Sequence, residues 1–158
     1  MKTKEKNFMH YIEALHMYNG KETSLFLAGG ITDCPDWQKE MIEKLKDSPL
    51  VLLNPRRTSF PIEERSTARE QIEWEHIHLR KATAISFWFP CETLNPIVLY
   101  ELGAWSMTEK KLFVGVHPDY QRMQDVQIQT ALARPDVQVV MSIEELAQQV
   151  VSWAKNVQ

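Results

Sequence analysis

Short, nearly continuous apolar runs alternate along the chain with segments whose apolar residues recur every three or four positions. The runs are Ser24–Ala28, Leu50–Leu53, Thr83–Phe89, Leu112–Val116 and Val137–Val140, and each reads as a buried strand. Between them lie helical patterns over 36–47, with Trp37, Met41, Ile42 and Leu45 on one face, then over 67–81, the stretch opening at Asn95-Pro96, 122–133 and 142–155. Asn95 with Pro96 predicts an N-cap followed by a first-turn proline. Ser142 with Glu145 three residues on predicts a capping box. Residues 56–66 (RRTSFPIEERS) read as a loop, and 8–18 (FMHYIEALHMY) as a short helix ended by Asn19-Gly20.

Wholly apolar strands separated by helices imply a parallel sheet covered on both faces. The expected fold is α/β: a doubly wound sandwich with a five-stranded parallel sheet, preceded by a short N-terminal helix. The expected division is a helical arm over 1–22 and one α/β domain over 23–158. In such a fold the ligand site lies at the carboxyl ends of the strands, near the switch in strand order. Gly29-Gly30, Asn54–Arg57, Pro90–Asn95 and His117-Pro118 end the strands.

The length of 158 residues suits one domain that needs no disulfide or metal staple. Eighteen basic residues against 21 acidic ones give a net charge of −3, which argues against a nucleic-acid polymer as partner. Cys34 and Cys91 are too few for a disulfide scaffold and read as reduced thiols in a cytoplasmic protein. The chain has no apolar run of membrane-spanning length, and its N-terminus does not read as a signal peptide.

Glu101 carries the strongest chemical signal. It is the only charged residue in Thr93–Thr108 (TLNPIVLYELGAWSMT), and its helical neighbours Ile97, Val98, Ala104 and Trp105 are apolar. A carboxylate among apolar residues is costly unless it is compensated. Gly103 weakens the helix and suggests a close approach of backbone or ligand; packing on the sheet, with Glu101 at a helix edge, is the plainer alternative. Glu73 and Glu75 lie two apart on the second helix, so one can face the strand ends while the other is solvated. The Glu-x-x-His spacing there lacks the companion motifs of a di-iron site. Gly29-Gly30 could bring backbone N–H groups to a ligand, although the third glycine of a dinucleotide fingerprint is missing. Arg56 and Arg57 could meet a phosphate or carboxylate, or simply be solvated.

LFLAGGI at 25–31 with Asp36-Trp37-Gln38, LLNPRR at 52–57, EQIEWEHIHLRKATAISFWF at 70–89 and NPIVLYELGAW at 95–105 resemble the nucleoside 2-deoxyribosyltransferase-like family. The resemblance implies a flavodoxin-like sandwich. It also implies cleavage of the N-glycosidic bond of a deoxynucleoside or deoxynucleotide, with Glu101 of Glu101-Leu102-Gly103 as nucleophile. Counting back from Ala82 makes Glu75 the second acid. Where the family usually carries acids, this chain has Thr83 and Asn95.

The residues expected around the substrate are Gly29, Gly30, Asp36, Trp37, Asn54, Arg56, Arg57, Phe89 and Asn95. Trp88 and Phe89 could stack on a base or pack in the core. No metal or organic cofactor is implied. The implied partner is a small nucleoside or nucleotide, and a homo-oligomer is implied because family members often complete their sites across subunits. Three functions remain open: sugar transfer to a second base, hydrolysis of a nucleotide with its 5′-phosphate on Arg56, Arg57 and the helix opening at Pro96, and non-catalytic nucleotide sensing.

Overall fold

The computed structural model describes residues 10–58 and 65–157. Its elements run β1 (His10–Glu13), β2 (Ser24–Gly29), α1 (Trp37–Lys44), β3 (Val51–Asn54), α2 (Arg65–Lys81), β4 (Ala84–Phe89), α3 (Pro96–Ser106), β5 (Lys111–Val116), α4 (Met123–Ala133), β6 (Val139–Val140) and α5 (Ile143–Asn156). All strand pairs are parallel, in the order β1-β3-β2-β4-β5-β6. With β1 set aside, this is the flavodoxin-like strand order.

The sheet has six strands rather than the expected five, and the extra one corrects the reading of 8–18 as a helix. Residues 8 and 9 lie outside the described residues, but His10–Glu13 is a strand that pairs with β3 from His10↔Val51 to Glu13↔Asn54. The helical periodicity of that segment loses because β3 would otherwise be an unpaired edge with every residue buried. The connector after β1 is then pinned to α2. Trp74 Nε1 donates to the His16 carbonyl at 2.8 Å, and Lys81 Nζ to the Tyr18 carbonyl at 3.0 Å. His78 is fully buried; its Nε2 accepts from the Tyr18 N–H at 3.0 Å, so Nδ1 carries the ring proton, 2.7 Å from the Trp74 carbonyl.

Two apolar layers sandwich the sheet. On one face Trp74, Leu79, Val98, Leu102 and Val126 from α2, α3 and α4 pack on Phe26, Leu53, Ile85, Phe87 and Val114. On the other, Trp37 and Met41 from α1 and Leu45 at its C-cap meet Leu146, Ala147 and Val150 from α5 over Leu25, Leu27, Leu52 and Trp88. Each such side chain contributes about 1.5–3 kcal/mol on burial. β2 and β4 are buried at every position because helices cover both sides. None of the helices among the described residues is long and apolar enough to cross a membrane.

The caps divide. Asp36 accepts from the Lys39 N–H and starts α1, and Ser142 accepts from the Glu145 N–H and starts α5. Asn95 does not cap α3 with its side chain. It is left-handed, with φ 52°, and its amide turns back to donate to the Thr93 carbonyl at 3.0 Å. The left-handed turn takes the amide away from the first helical N–H groups, and Asn tolerates that backbone better than most residues.

Candidate active site

A cavity of about 330 Å³ opens at the carboxyl end of the sheet, where the strand order reverses between β2 and β4. Its floor is Phe26, Ala28, Gly29 and Gly30 from β2 and the residues after it, joined by Ile31 and Thr32. Pro55 comes from the end of β3, Ile72 and Glu75 from α2, Thr93 and Asn95 from the loop after β4, and Pro96, Ile97, Val98 and Glu101 from α3. The lining is apolar apart from two carboxyls, two threonines, one asparagine and exposed backbone. Such a surface suits a compact ligand that is oriented by a few polar contacts.

The two carboxyls face that cavity from different helices. Burial pushes the Glu101 carboxyl up to about 8, with the nearby Glu75 charge as the second cause. Burial also raises Glu75, but the amide of Gln71 opposes the rise by donating to Glu75 Oε1 at 2.9 Å. Both carboxyls are thus weaker acids than an ordinary glutamate, and the Gln71 donor favours the charge on Glu75. Glu73, by contrast, points outward and pairs with Arg69 at 2.7 Å.

The glycine floor is shaped by packing from below. A Cβ on Gly29 would overlap the Trp37 ring and come within 2.6 Å of the Trp88 carbonyl oxygen. One on Gly30 would sit 2.6 Å from Asn95 Oδ1 and 2.9 Å from Cys34 Sγ. The Gly30 carbonyl accepts from Trp37 Nε1 at 3.0 Å and from Gln38 Nε2 at 3.1 Å. Arg56 holds the next segment: its guanidinium donates to the Cys34 carbonyl (3.0 Å), the Pro35 carbonyl (2.9 Å) and Gln38 Oε1 (3.3 Å). The loop from 30 to 36 is thus tied down from α1 and from the end of β3.

The sequence pattern that defines proteins described as nucleoside 2-deoxyribosyltransferase like matches residues 22–120, from just before β2 to just after β5. The chain belongs to this family. No curated protein matches the chain. The matched segment contains every residue that lines the cavity.

In this nucleoside 2-deoxyribosyltransferase-like protein the structure gathers five of the expected site residues around the cavity: Gly29, Gly30, Glu75, Asn95 and Glu101. The others stand behind it. Trp37 is buried under Gly30, and Asp36 caps α1 3.9 Å from Arg56. Asn54 donates to the Tyr11 hydroxyl and accepts from the Arg56 N–H. Arg57 is half-buried outside the lining. Phe89 and Trp88 do not reach the cavity: Phe89 is fully buried against Tyr120, and Trp88 packs beneath Gly29 and Gly115. His117 is spent on its own turn, accepting from the Asp119 N–H.

Gly103 corrects a further expectation. A Cβ there would meet nothing within 4 Å, so neither a close approach nor sheet packing within the chain explains it. Sequence reasoning missed Ile72 and Ile97 at the mouth, and the threonines Thr32 and Thr93. It also missed Gln71, whose signal was its place one helical turn before Glu75.

Proposed function

We propose that the protein cleaves the N-glycosidic bond of a deoxynucleoside through a glycosyl-enzyme on Glu101 and passes the sugar to a second base. The observation that carries this reading is the pair of carboxyls from α2 and α3 facing one apolar cavity at the strand ends. Bond cleavage at an anomeric carbon builds positive charge on the sugar, which an adjacent carboxylate can trap. The reactive form has Glu101 ionised and the proton on Glu75. Glu101 bonds to C1′ as the bond from C1′ to the base nitrogen breaks, and the proton follows the electron pair onto the departing base. A second base then attacks C1′, the bond to Glu101 breaks, and the proton the new base sheds returns to the pair.

An uncharged nucleoside is favoured over a nucleotide. Among the described residues the cavity lining holds no basic side chain, and Arg56 is committed to three acceptors elsewhere. A homo-oligomer belongs to the same reading. Ile72 and Ile97 are 64% and 63% exposed at the cavity mouth, and Tyr100 and Met107 extend the apolar surface along α3 at 76% and 82%. Exposed apolar surface of this kind is what a second copy would cover.

The test is chromatography of a deoxynucleoside panel incubated with and without a second free base. A new nucleoside that forms only with the second base, and at least about 10⁴-fold more slowly with Glu101→Ala, supports the proposal. Free base and free sugar replace transfer with hydrolysis. Binding without turnover leaves a sensing module and refutes the catalytic reading.

A further inference from the structure

Gln71 lies outside the cavity lining, yet it is 91% buried and touches one of the two carboxyls. Its Nε2 makes two bonds, 2.7 Å to the Pro55 carbonyl oxygen and 2.9 Å to Glu75 Oε1. A backbone carbonyl can only accept, so the Pro55 contact settles which end of the amide points which way. Both amide hydrogens are then used, and Glu75 Oε1 has to act as acceptor. The cost of this arrangement is visible at the other end of the group. Gln71 Oε1 is buried with no partner among the described residues. A buried acceptor is rarely left unmet. The amide is held in that orientation by its two acceptors, against the interest of its own oxygen.

We propose that Gln71 is a positioning residue that fixes the Glu75 carboxyl as a hydrogen-bond acceptor at the cavity, using the Pro55 carbonyl as its anchor. The catalytic meaning rests on the function proposed above; the geometry does not. Gln71 and Glu75 are four residues apart on α2, so the helix sets their spacing. Pro55 is the residue after β3, so the anchor ties the helix that carries Glu75 to the end of the sheet. Among the described residues, Glu101 on α3 is the charged group around the cavity that faces Glu75. A donor fixed on Glu75 therefore biases the pair, favouring the charge on Glu75 and the proton on Glu101.

The experiment reads titration, so it needs no turnover. Carboxyl carbons of ¹³C-labelled glutamate and the side-chain N–H signals of Gln71 are followed by NMR across pH in the intact protein. Glu75→Gln and Glu101→Gln assign the carboxyl signals. The expected result is that the Gln71 N–H shifts follow the Glu75 carboxyl with a common midpoint, and that Glu75→Gln removes that response. In Gln71→Leu, Glu75 becomes about a tenfold weaker acid, its midpoint rising about one pH unit. Gln71 signals indifferent to Glu75 would overturn the proposal, as would an unmoved Glu75 midpoint in a folded Gln71→Leu. The first measurement is made on the unaltered amide, so it stands if Gln71→Leu does not fold. Absence of nucleoside cleavage with these titrations intact would count against the proposed function and leave the positioning role standing.

Discussion

Replacing Glu101 with glutamine should make the protein more stable, and by an amount that depends on pH. The folded Glu101 carboxyl holds its proton up to about 8, whereas the ordinary value is 4.5. Between those two values the unfolded chain has released a proton that the folded chain still holds, so stability falls as pH rises through the window. Each pH unit is worth about 1.4 kcal/mol. At pH 7, about 2.5 pH units into the window, the wild type is therefore weakened by about 3 kcal/mol relative to a neutral side chain of the same shape. For a chain of this size that is about 6 to 12 °C in Tm. At pH 5 the advantage of Glu101→Gln should shrink to below about 1 kcal/mol. Urea unfolding of both proteins from pH 5 to pH 8, followed by tryptophan fluorescence, measures the difference directly. Two stability curves that run parallel over that range would sink the argument, because a constant offset reports packing and not a carboxyl that titrates with folding. Glu75→Gln supplies a control with a defined direction. It removes the neighbouring charge, so the folded Glu101 value should fall and the window should narrow from its upper end.

Gly29→Ala forces a Cβ into the Trp37 ring and the Trp88 carbonyl, so little folded protein should be recovered; near-native Tm in that variant would contradict the packing described. Gly103→Ala adds its methyl to open space in a helix and should stabilise the chain by up to about 1 kcal/mol, read as a Tm about 2 to 4 °C higher. Arg56→Ala strips donors from the Cys34 and Pro35 carbonyls and from Gln38; it should cost about 1 to 3 kcal/mol, and amides across 31–36 should exchange faster while those of β5 stay protected.

The sheet and its helices were legible in the sequence because the central strands are short, mostly apolar runs and the segments between them carry helical spacing or caps. β1 was not. HYIE mixes exposed and half-buried positions, and what makes it a strand is the bare edge of β3, which lies some forty residues further on. The pair Glu75 and Glu101 could be found because a lone carboxylate on an apolar helix is conspicuous, and because the family motifs put the second acid on the helix before β4. Phe89 was misplaced for the opposite reason. A bulky aromatic at a strand end looks the same whether it turns into a cavity or into the core, and only the packing against Tyr120 decides. Arg56 looked available for a phosphate because two of its three acceptors are backbone carbonyls, which leave no mark on the side-chain pattern.

The edge position of β1 has a consequence for handling the protein. The outer strands of the sheet are β1, with four residues of mixed polarity, and β6, with two. Both are poor templates for a strand from another molecule, whereas β3, next inward, is wholly buried and apolar up to Asn54. A shortened variant that starts at Lys21, after β1 and the connector that follows it, would keep every residue lining the cavity and yet uncover β3. It would also strand the Trp74 indole and the His78 ring, whose acceptor and donor lie in the connector that follows β1. Such a variant should clump on concentration even where it retains ligand, so β1 and its connector serve as the sheet's guard against self-association along its edge.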